Sequence, residues 1–255
     1  MARTITLLYG ILVYFFFFAA FLYLIGFLGN LLVPKGIDTG DSGSASFAYL
    51  GNFCLILIFA LQHSIMARPG FKRVWTRLIP KPVERSTYVL LSSLALILLM
   101  AFWQPIPGIV WDVSGTKLGL AFLATHWVGW AVVLTSTFMI DHFDLFGLRQ
   151  VYLTFKSREL TRGTFHKRLY YKLVRHPIMT GFLIAFWATP VMTMGHLLFT
   201  VGMTVYIYIA VKKFEEKDLI AEIGQPYIDY QAEVGPFFPG IGKSKPQPAF
   251  ASPAE

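Results

Sequence analysis

Ionisable and polar side chains collect where the apolar stretches of this sequence end. They include His63, His142, Arg175, His176 and Glu216. Ionisable groups at the edge of a membrane segment tend to be functional, because an unpaired charge near lipid is energetically costly. Taken singly, each could also be a helix cap, an arginine reaching toward water, or a glutamate paired with lysine. Their shared position predicts one polar site at the mouth of a membrane protein.

The segment Arg175-His176-Pro177 has the pattern of a helix start. Proline fits the first turn of a helix, where its missing N–H group has no partner to lose. His176 would then be the capping residue. The free N–H groups of such a first turn can bind an anion or another hydrogen-bond acceptor, and Arg175 adds positive charge beside them.

Two consecutive carboxylates, Glu215 and Glu216, follow the last apolar stretch. A carboxylate at this position could accept hydrogen bonds from ribose hydroxyls or balance a bound cation. The alternative interpretation is a local ion pair with Lys212 or Lys213, which lie one turn earlier on the same helix.

The composition is that of an integral membrane protein. The chain has 255 residues, of which 55% are hydrophobic and only 14% are charged, whereas soluble domains are about 25% charged. The net charge of +8 does not lead us to expect a nucleic-acid partner, because basic residues in membrane proteins usually mark the cytoplasmic side. The sequence has no glycine-rich phosphate loop, and its histidines lack close metal-binding spacing, so no metal site is predicted.

The apolar stretches predict about six transmembrane helices in an all-α fold. Four lie at residues 5–33, 47–67, 86–103 and 118–140. The last stretch follows Pro177 and would be roughly 54 Å long as one straight helix, against a hydrocarbon core of about 30 Å. A turn near residues 193–196 would divide it into a hairpin of two helices of about 17 residues each.

The basic residues predict the orientation of these spans. With six spans and both termini on the cytoplasmic side, only Lys35 and Lys117 of the 22 Lys and Arg residues fall on the outer side, as expected from the excess of basic residues in cytoplasmic loops. The candidate residues named above then lie together at the inner face, where we expect a cofactor pocket.

Residues 170–240 carry an ordered set of motifs. They are Arg175-His176-Pro177 followed by Gly181, FEEKDL at 214–219, GQPYIDY at 224–230 and FFP at 237–239. This set resembles the isoprenylcysteine carboxyl methyltransferase superfamily, whose members are membrane enzymes that use S-adenosylmethionine (SAM). Met179 stands where that superfamily often has tyrosine. The resemblance implies that the cofactor-binding residues are Arg175, His176, Pro177, Glu215, Glu216, Tyr227 and Tyr230.

Motifs within residues 62–150 narrow the resemblance to one family of membrane methyltransferases. QHSIMAR at 62–68, ERSTYVL at 84–90 and DHFDLFGLRQ at 141–150 are similar to the membrane methanethiol S-methyltransferases, and NnrU-like proteins share a looser version of the first two. The resemblance implies methyl transfer from SAM to a small volatile thiol, methanethiol, which gives dimethyl sulfide and S-adenosylhomocysteine. It also implies a multi-pass protein of the bacterial cytoplasmic membrane.

Methyl transfer to a thiol needs a proton acceptor, because the thiolate is the nucleophile and a plain alkanethiol has a pKa above the value of about 8.5 for cysteine. The candidate catalytic residues are His63, His142 and Asp144. Aromatic and charged side chains nearby are candidates for binding the substrate: Trp75, Glu84, Arg85 and Tyr88.

The chain is thus expected to divide into three regions. Residues 1–140 would form a four-span region that supplies the acceptor site, residues 141–240 would bind SAM, and residues 241–255 would be a disordered tail. Alternatives stay open: a non-enzymatic haem-binding or nitrogen-oxide accessory protein of NnrU type, with His63 and His142 as haem ligands, or a methyltransferase for another small thiol or a prenylated cysteine. The sequence does not determine the oligomeric state.

Overall fold

The computed structural model describes residues 1–41, 44–160 and 167–245, and this part of the chain is mainly helical. In chain order the helices are α1 (Ala2–Gly29), α2 (Ala45–Ala67), α3 (Pro69–Trp75), α4 (Lys81–Phe102), α5 (Lys117–Ile140), α6 (His142–Leu145), α7 (Leu148–Phe155), α8 (Pro177–Trp187), α9 (Met194–Ile209), α10 (Glu216–Ile223) and α11 (Gln225–Glu233). A 3₁₀ turn (Leu169–Lys172) precedes α8, and a π-helical turn (Ala210–Glu215) joins α9 to α10. Two short strands, β1 (Ile109–Asp112) and β2 (Val191–Thr193), pair antiparallel.

Five helical segments of the described chain are long and apolar enough to cross a membrane. They are α1, α2, α4, α5 and the continuous run Met194–Ile223, which contains α9, the π-helical turn and α10. This confirms the prediction of an all-α, multi-pass membrane protein. The predicted first span ended at residue 33, but α1 ends at Gly29 because Asn30 adopts a left-handed backbone conformation with φ 49°, which asparagine tolerates at helix ends.

The predicted C-terminal hairpin is present, but its first leg differs from the prediction. α8 has 11 residues and is therefore about 17 Å long, too short to cross a membrane as a helix. It ends before Pro190, which cannot continue a helix. The chain then continues as the extended strand β2, which pairs with β1. Beside this pair, Trp111 Nε1 of β1 donates to the carbonyl of Thr189 at 3.0 Å. In the described part of the chain, the membrane region is therefore built from five long helical segments together with the short α8 and its extended continuation.

The two legs of the hairpin pack against each other, and the first leg, α8, packs against α5. Thr200 Oγ1 in α9 donates to the carbonyl of Phe186 in α8 at 3.1 Å. Gly129 and Gly181 bring α5 and α8 into backbone contact, since a Cβ added at Gly129 would lie only 2.8 Å from the carbonyl oxygen of Gly181. Small residues allow such close approach between membrane helices. The contact fixes the level of α8, and with it the position of His176 at its start.

Residues 241–245 lie within the described chain, and the rest of the predicted disordered tail, 246–255, lies outside it. The backbone N–H of Ser244 donates to the carbonyl of Gln231 at 2.9 Å. The first residues of this tail therefore contact α11.

Replacing Gly129 by alanine tests the close approach of α5 and α8. The added Cβ would lie 2.6 Å from the backbone nitrogen of Ala185, so one helix must shift. We expect the free energy of unfolding to fall by about 1–3 kcal/mol, visible as a lower melting temperature in detergent. Gly51→Ala in α2 is the control, because, apart from its own stretch of helix backbone, no atom of the described residues lies within 4 Å of its added Cβ. Equal melting temperatures for the two variants would contradict the proposed packing.

Candidate functional site

A buried ion pair forms the base of the site at the inner end of the hairpin. The Arg175 side chain is 0% exposed, and its Nε donates to Glu216 Oε1 at 2.9 Å. Its Nη1 donates to the backbone carbonyls of Gln231, at 3.1 Å, and Val234. Lys212 Nζ lies 3.0 Å from Glu216 Oε2. Glu216 therefore pairs with both Arg175 and the lysine one turn earlier, so the local ion pair is present, and the contact of this carboxylate with a ligand stays a prediction.

His176 lies between the two carboxylates. Its Nδ1 is 3.5 Å from Glu215 Oε1, and its Nε2 is 3.5 Å from Glu216 Oε1. Burial acts to lower the pKa of His176, but the adjacent carboxylates outweigh it and hold the pKa above its ordinary value. The protonated ring is therefore the form that this environment favours. Pro177 follows as the first residue of α8, as the sequence predicted.

Glu215 and Glu216 have different exposures although they are adjacent. The Glu215 side chain is 41% exposed, whereas that of Glu216 is 7% exposed. Glu215 ends the π-helical turn Ala210–Glu215, and such turns inside α-helices are frequent at functional sites. Glu216 is thus engaged inside the protein, while Glu215 remains accessible to a ligand.

Two buried tyrosines of α11 lie next to this charge group. The rings of Tyr227 and Tyr230 are 5.9 Å apart at their centroids, and the Tyr230 hydroxyl donates to the carbonyl of Tyr171. Burial raises the pKa of the Tyr227 phenol, and the negative charge of Glu216 raises it further. Tyr227 is therefore a neutral phenol that can donate a hydrogen bond. The structure thus brings together the seven residues predicted to bind the cofactor.

His63 lies near the inner end of α2 and faces α4. Its Nε2 is 2.9 Å from the Tyr88 hydroxyl, and its Nδ1 is 3.2 Å from Ser92 Oγ. Its ring stacks on Phe59, with 5.4 Å between the ring centroids. Both nitrogens of His63 therefore lie within hydrogen-bond distance of hydroxyl groups.

Contacts between α2 and the C-terminal helices connect His63 with the charge group. Ser64 Oγ, on the next residue, lies 3.4 Å from the Tyr206 hydroxyl of α9. One turn later, Arg68 pairs with Asp218 of α10 at 2.7 Å. The carboxylate of Glu215 interacts electrostatically with His63. The front half and the C-terminal region therefore meet at this end of the protein.

His142 lies in a different environment. Its Nε2 is 2.8 Å from the Tyr14 hydroxyl of α1, and its Nδ1 is 2.8 Å from Thr137 Oγ1 of α5. Its ring stacks on Phe138 with centroids 4.2 Å apart and an angle of 4° between the planes. Burial lowers the pKa of His142, with Asp141 opposing the shift. The hydrogen-bond partners of His142 and His63 thus come from different helices.

Asp144 shares α6 with His142, but its side chain has other partners. Its Oδ1 lies 3.3 Å from Arg149 Nη1 and 3.4 Å from Gln150 Nε2. The backbone N–H of Asp144 is capped by Asp141 Oδ1 at 3.0 Å. The predicted role of Asp144 beside a catalytic histidine stays a prediction, and its observed contacts hold α6 to α7.

The four predicted substrate contacts divide into two groups. Arg85 and Tyr88 lie at His63: the Arg85 guanidinium carbon is 5.2 Å from the centroid of the Tyr88 ring. Glu84 lies in the first turn of α4, where the helix dipole favours negative charge. Trp75 ends α3, with its ring 5.6 Å from that of Phe71.

Sequence reasoning missed Ser92 and Tyr206. Ser92 follows Tyr88 by four residues and therefore lies on the same face of α4, so helical spacing could have identified it. Tyr206 comes nine residues before Glu215 in an apolar stretch. Nothing in that stretch distinguishes Tyr206 beyond its being a phenol in a membrane helix.

Two surface grooves lie elsewhere on the described chain. One, of about 290 Å³, lies where α1 meets α4. The other, of about 420 Å³, lies along α1 and α7 beside Asp141 and Arg149. None of the predicted cofactor-binding residues lines either groove, so the inner-face cofactor pocket stays a prediction.

Comparison with curated proteins identifies the family. A methanethiol S-methyltransferase of Mycobacterium tuberculosis is 51% identical over 239 residues, which is 94% of this chain and 98% of that protein. This chain belongs to the methanethiol S-methyltransferase family. A second such protein, methanethiol S-methyltransferase 2 of Bradyrhizobium diazoefficiens, is 52% identical over 94% of this chain and 92% of its own length. Nurim of Rattus norvegicus is 30% identical over 65% of each chain. No family model and no solved structure matches the chain significantly.

The raised pKa of His176 predicts how stability depends on pH. The folded state holds this proton more tightly than the unfolded state, so the stabilisation is fully present below about pH 6.5, the ordinary histidine value. It is lost as the pH rises through the folded-state pKa. We therefore expect the melting-temperature advantage of the ligand-free wild type over His176→Asn to shrink as the pH rises.

His142→Asn provides the control, because the pKa of His142 is shifted in the opposite direction. The wild-type advantage over His142→Asn should shrink as the pH falls through about 6.5. Parallel pH profiles for the two variants would contradict the different environments assigned to the two histidines.

Proposed function

We propose that this chain is a SAM-dependent methyltransferase that methylates the sulfur of methanethiol and releases dimethyl sulfide and S-adenosylhomocysteine. The proposal is carried by relatives named methanethiol S-methyltransferase that match 94% of the chain at 51% and 52% identity. The distribution of Lys and Arg supports an orientation with both termini cytoplasmic, and the bacterial relatives support a location in the bacterial cytoplasmic membrane.

The residues at the inner end of the hairpin fit SAM as the methyl donor. SAM has ribose hydroxyls that need acceptors, and when bound it supplies an electrophilic methyl group on a cationic sulfur. Glu215 offers a carboxylate that is 41% exposed and lies 3.5 Å from His176, so it can accept further hydrogen bonds or balance a cation. Glu215, His176 and Tyr227 would hold the donor.

The remaining residues predicted to bind the cofactor would hold Glu215, His176 and Tyr227 in position. Arg175 and Glu216 are buried in their own ion pair, and Tyr230 is bonded to the carbonyl of Tyr171. Pro177 begins α8 and leaves the N–H groups of its first turn for an acceptor. We therefore propose a positioning role for Arg175, Glu216 and Tyr230. Direct contact with the donor is proposed for Glu215, His176 and Tyr227.

The acceptor thiol must lose its proton before sulfur attacks, and we propose His63 as the proton acceptor. The observation that favours it over His142 is its position beside the proposed donor site, since the nearby Ser64 and Arg68 contact Tyr206 and Asp218 of the C-terminal helices. His142 lies among aromatic rings, and its ring stacks on Phe138. No specific contact favours the haem alternative, because both nitrogens of each histidine already lie near hydroxyl groups.

A direct assay tests the function. Purified protein supplied with methanethiol and SAM should release dimethyl sulfide into the headspace, measured by gas chromatography, with one S-adenosylhomocysteine formed per product. Hydrogen sulfide, ethanethiol and a prenylated cysteine in parallel reactions define the acceptor. Absence of dimethyl sulfide, with another acceptor methylated, would contradict the proposed substrate, and a Soret band in the purified protein would favour the haem alternative.

The cofactor assignment is tested by Glu215→Gln. Removing the accessible carboxylate should weaken SAM binding about tenfold or more, which corresponds to about 1.4 kcal/mol, measured by calorimetry. Asp229→Asn is the control, because Asp229 is an exposed carboxylate of α11 that accepts from Gln225 at 2.8 Å. Glu216→Ala should also weaken SAM binding, but by releasing Arg175. Unchanged affinity in Glu215→Gln would exclude the proposed contact.

A further inference from the structure

We propose that the thiol proton leaves through Tyr88, whose hydroxyl takes the proton from the thiol while passing its own proton to Nε2 of His63. This inference rests on the proposed function and deepens it. Tyr88 becomes the catalytic residue that touches the acceptor thiol, and His63 becomes the final acceptor of the proton.

The geometry around His63 leads to this order. The Tyr88 hydroxyl lies 2.9 Å from Nε2, and Ser92 Oγ lies 3.2 Å from Nδ1. A thiol could reach either ring nitrogen only by displacing one of these hydroxyls. Transfer through the Tyr88 oxygen needs no displacement, because the hydroxyl already bridges toward the ring.

The hydrogen-bonding needs of the buried groups determine that Tyr88 donates and His63 Nε2 accepts. Tyr88 is 7% exposed, and a buried phenol O–H needs an acceptor, which His63 Nε2 provides. Nδ1 then carries the ring proton and donates to Ser92 Oγ. Gln62 Nε2 also lies 3.4 Å from that oxygen, and a serine oxygen can accept both bonds.

A cation over the phenol ring distinguishes this pair from the similar pair of Tyr14 and His142. The Arg85 guanidinium lies over the Tyr88 ring at 5.2 Å, and cationic charge there favours negative charge developing on the phenol oxygen. Of the charges that act on an imidazolium at His63, Glu215 favours it, whereas Arg85 and Arg68 oppose it. Tyr14 instead stacks on Phe18, with centroids 6.4 Å apart.

The proton balance of the step is complete. The S–H bond of the thiol breaks and a new O–H bond forms on Tyr88. The original Tyr88 O–H bond breaks and an N–H bond forms at His63 Nε2. The thiol sulfur keeps its electron pair and becomes the thiolate nucleophile. Tyr88 ends neutral, His63 ends as an imidazolium, and that proton passes to water before the next turnover.

The first test is the pH dependence of Tyr88→Phe, which removes the hydroxyl and keeps the ring. At neutral pH its turnover number should fall about 100-fold or more. As the pH rises toward the thiol pKa, this deficit should shrink by about tenfold per pH unit, because alkaline solution supplies the thiolate directly. Tyr9→Phe is the control: its hydroxyl lies 3.0 Å from Thr87 Oγ1 on the neighbouring residue, and its removal should leave turnover unchanged. A deficit that is the same at every pH would overturn the relay.

A double variant tests whether the two groups act in one step. His63→Gln keeps a polar side chain but removes the proton acceptor, so it should show the same pH-dependent deficit as Tyr88→Phe. Residues that act as a unit are non-additive, and the double variant should be no slower than either single variant. If the turnover deficits of the two single variants multiply in the double variant, Tyr88 and His63 act independently and the relay is overturned.

A spectroscopic test does not depend on activity. Nitrogen-15 NMR of labelled histidine in the ligand-free protein should show a protonated Nδ1 and an unprotonated, hydrogen-bonded Nε2 for His63, assigned by its loss in His63→Gln. In Tyr88→Phe the Nε2 resonance should shift. A protonated Nε2 in the wild type would overturn the relay whether or not methanethiol is the substrate, whereas an inactive wild type with the expected tautomer would overturn only the proposed function.

Discussion

The buried ion pair between Arg175 and Glu216 is the interaction on which the C-terminal half depends. Two charges removed from water are tolerated only when their hydrogen-bonding capacity is filled, and removing one partner of such a pair costs about 3–5 kcal/mol. Arg175 meets this requirement by also donating to the carbonyls of Gln231 and Val234. One guanidinium therefore joins the start of α8, the start of α10 and the end of α11.

The backbone adds to this junction. The N–H groups of Arg175 and His176 donate to the carbonyls of Gly235 and Pro236, at 2.9 and 3.0 Å, so the chain after α11 lies alongside the chain before α8. His176 is thereby fixed beside two carboxylates. Because Glu216 is occupied by Arg175, the proposed contact with the ligand falls to Glu215, which the π-helical turn leaves accessible. The different environments of Glu215 and Glu216 therefore follow from how the helices pack.

Hydrophobicity and charge predicted the depth of each group in the membrane but not its position around the helix bundle. Long apolar stretches must be helical in lipid because every backbone group needs an internal partner, and basic residues mark one side, so His63, His142 and Glu215 were predicted at one level. Which helices adjoin at that level depends on side-chain packing. This is why the sequence grouped His63 with His142, whereas the structure gives them different partners. The short α8 escaped prediction for a related reason, since its extended continuation is stabilised by β1, a strand 80 residues away in the sequence.

The two histidines show that local geometry does not determine chemistry. Each has a tyrosine hydroxyl at Nε2, at 2.9 Å for His63 and 2.8 Å for His142, and a second hydroxyl at Nδ1. They differ in which helices surround them. The hydroxyls that contact His142 come from α1 and α5, whereas those that contact His63 come from α4. The residues after His63 also contact the C-terminal helices, through Ser64 with Tyr206 and Arg68 with Asp218. The place of His63 in the proposed chemistry therefore comes from the junction built by Arg175 and Glu216, which holds the proposed donor residues at the same end of the protein.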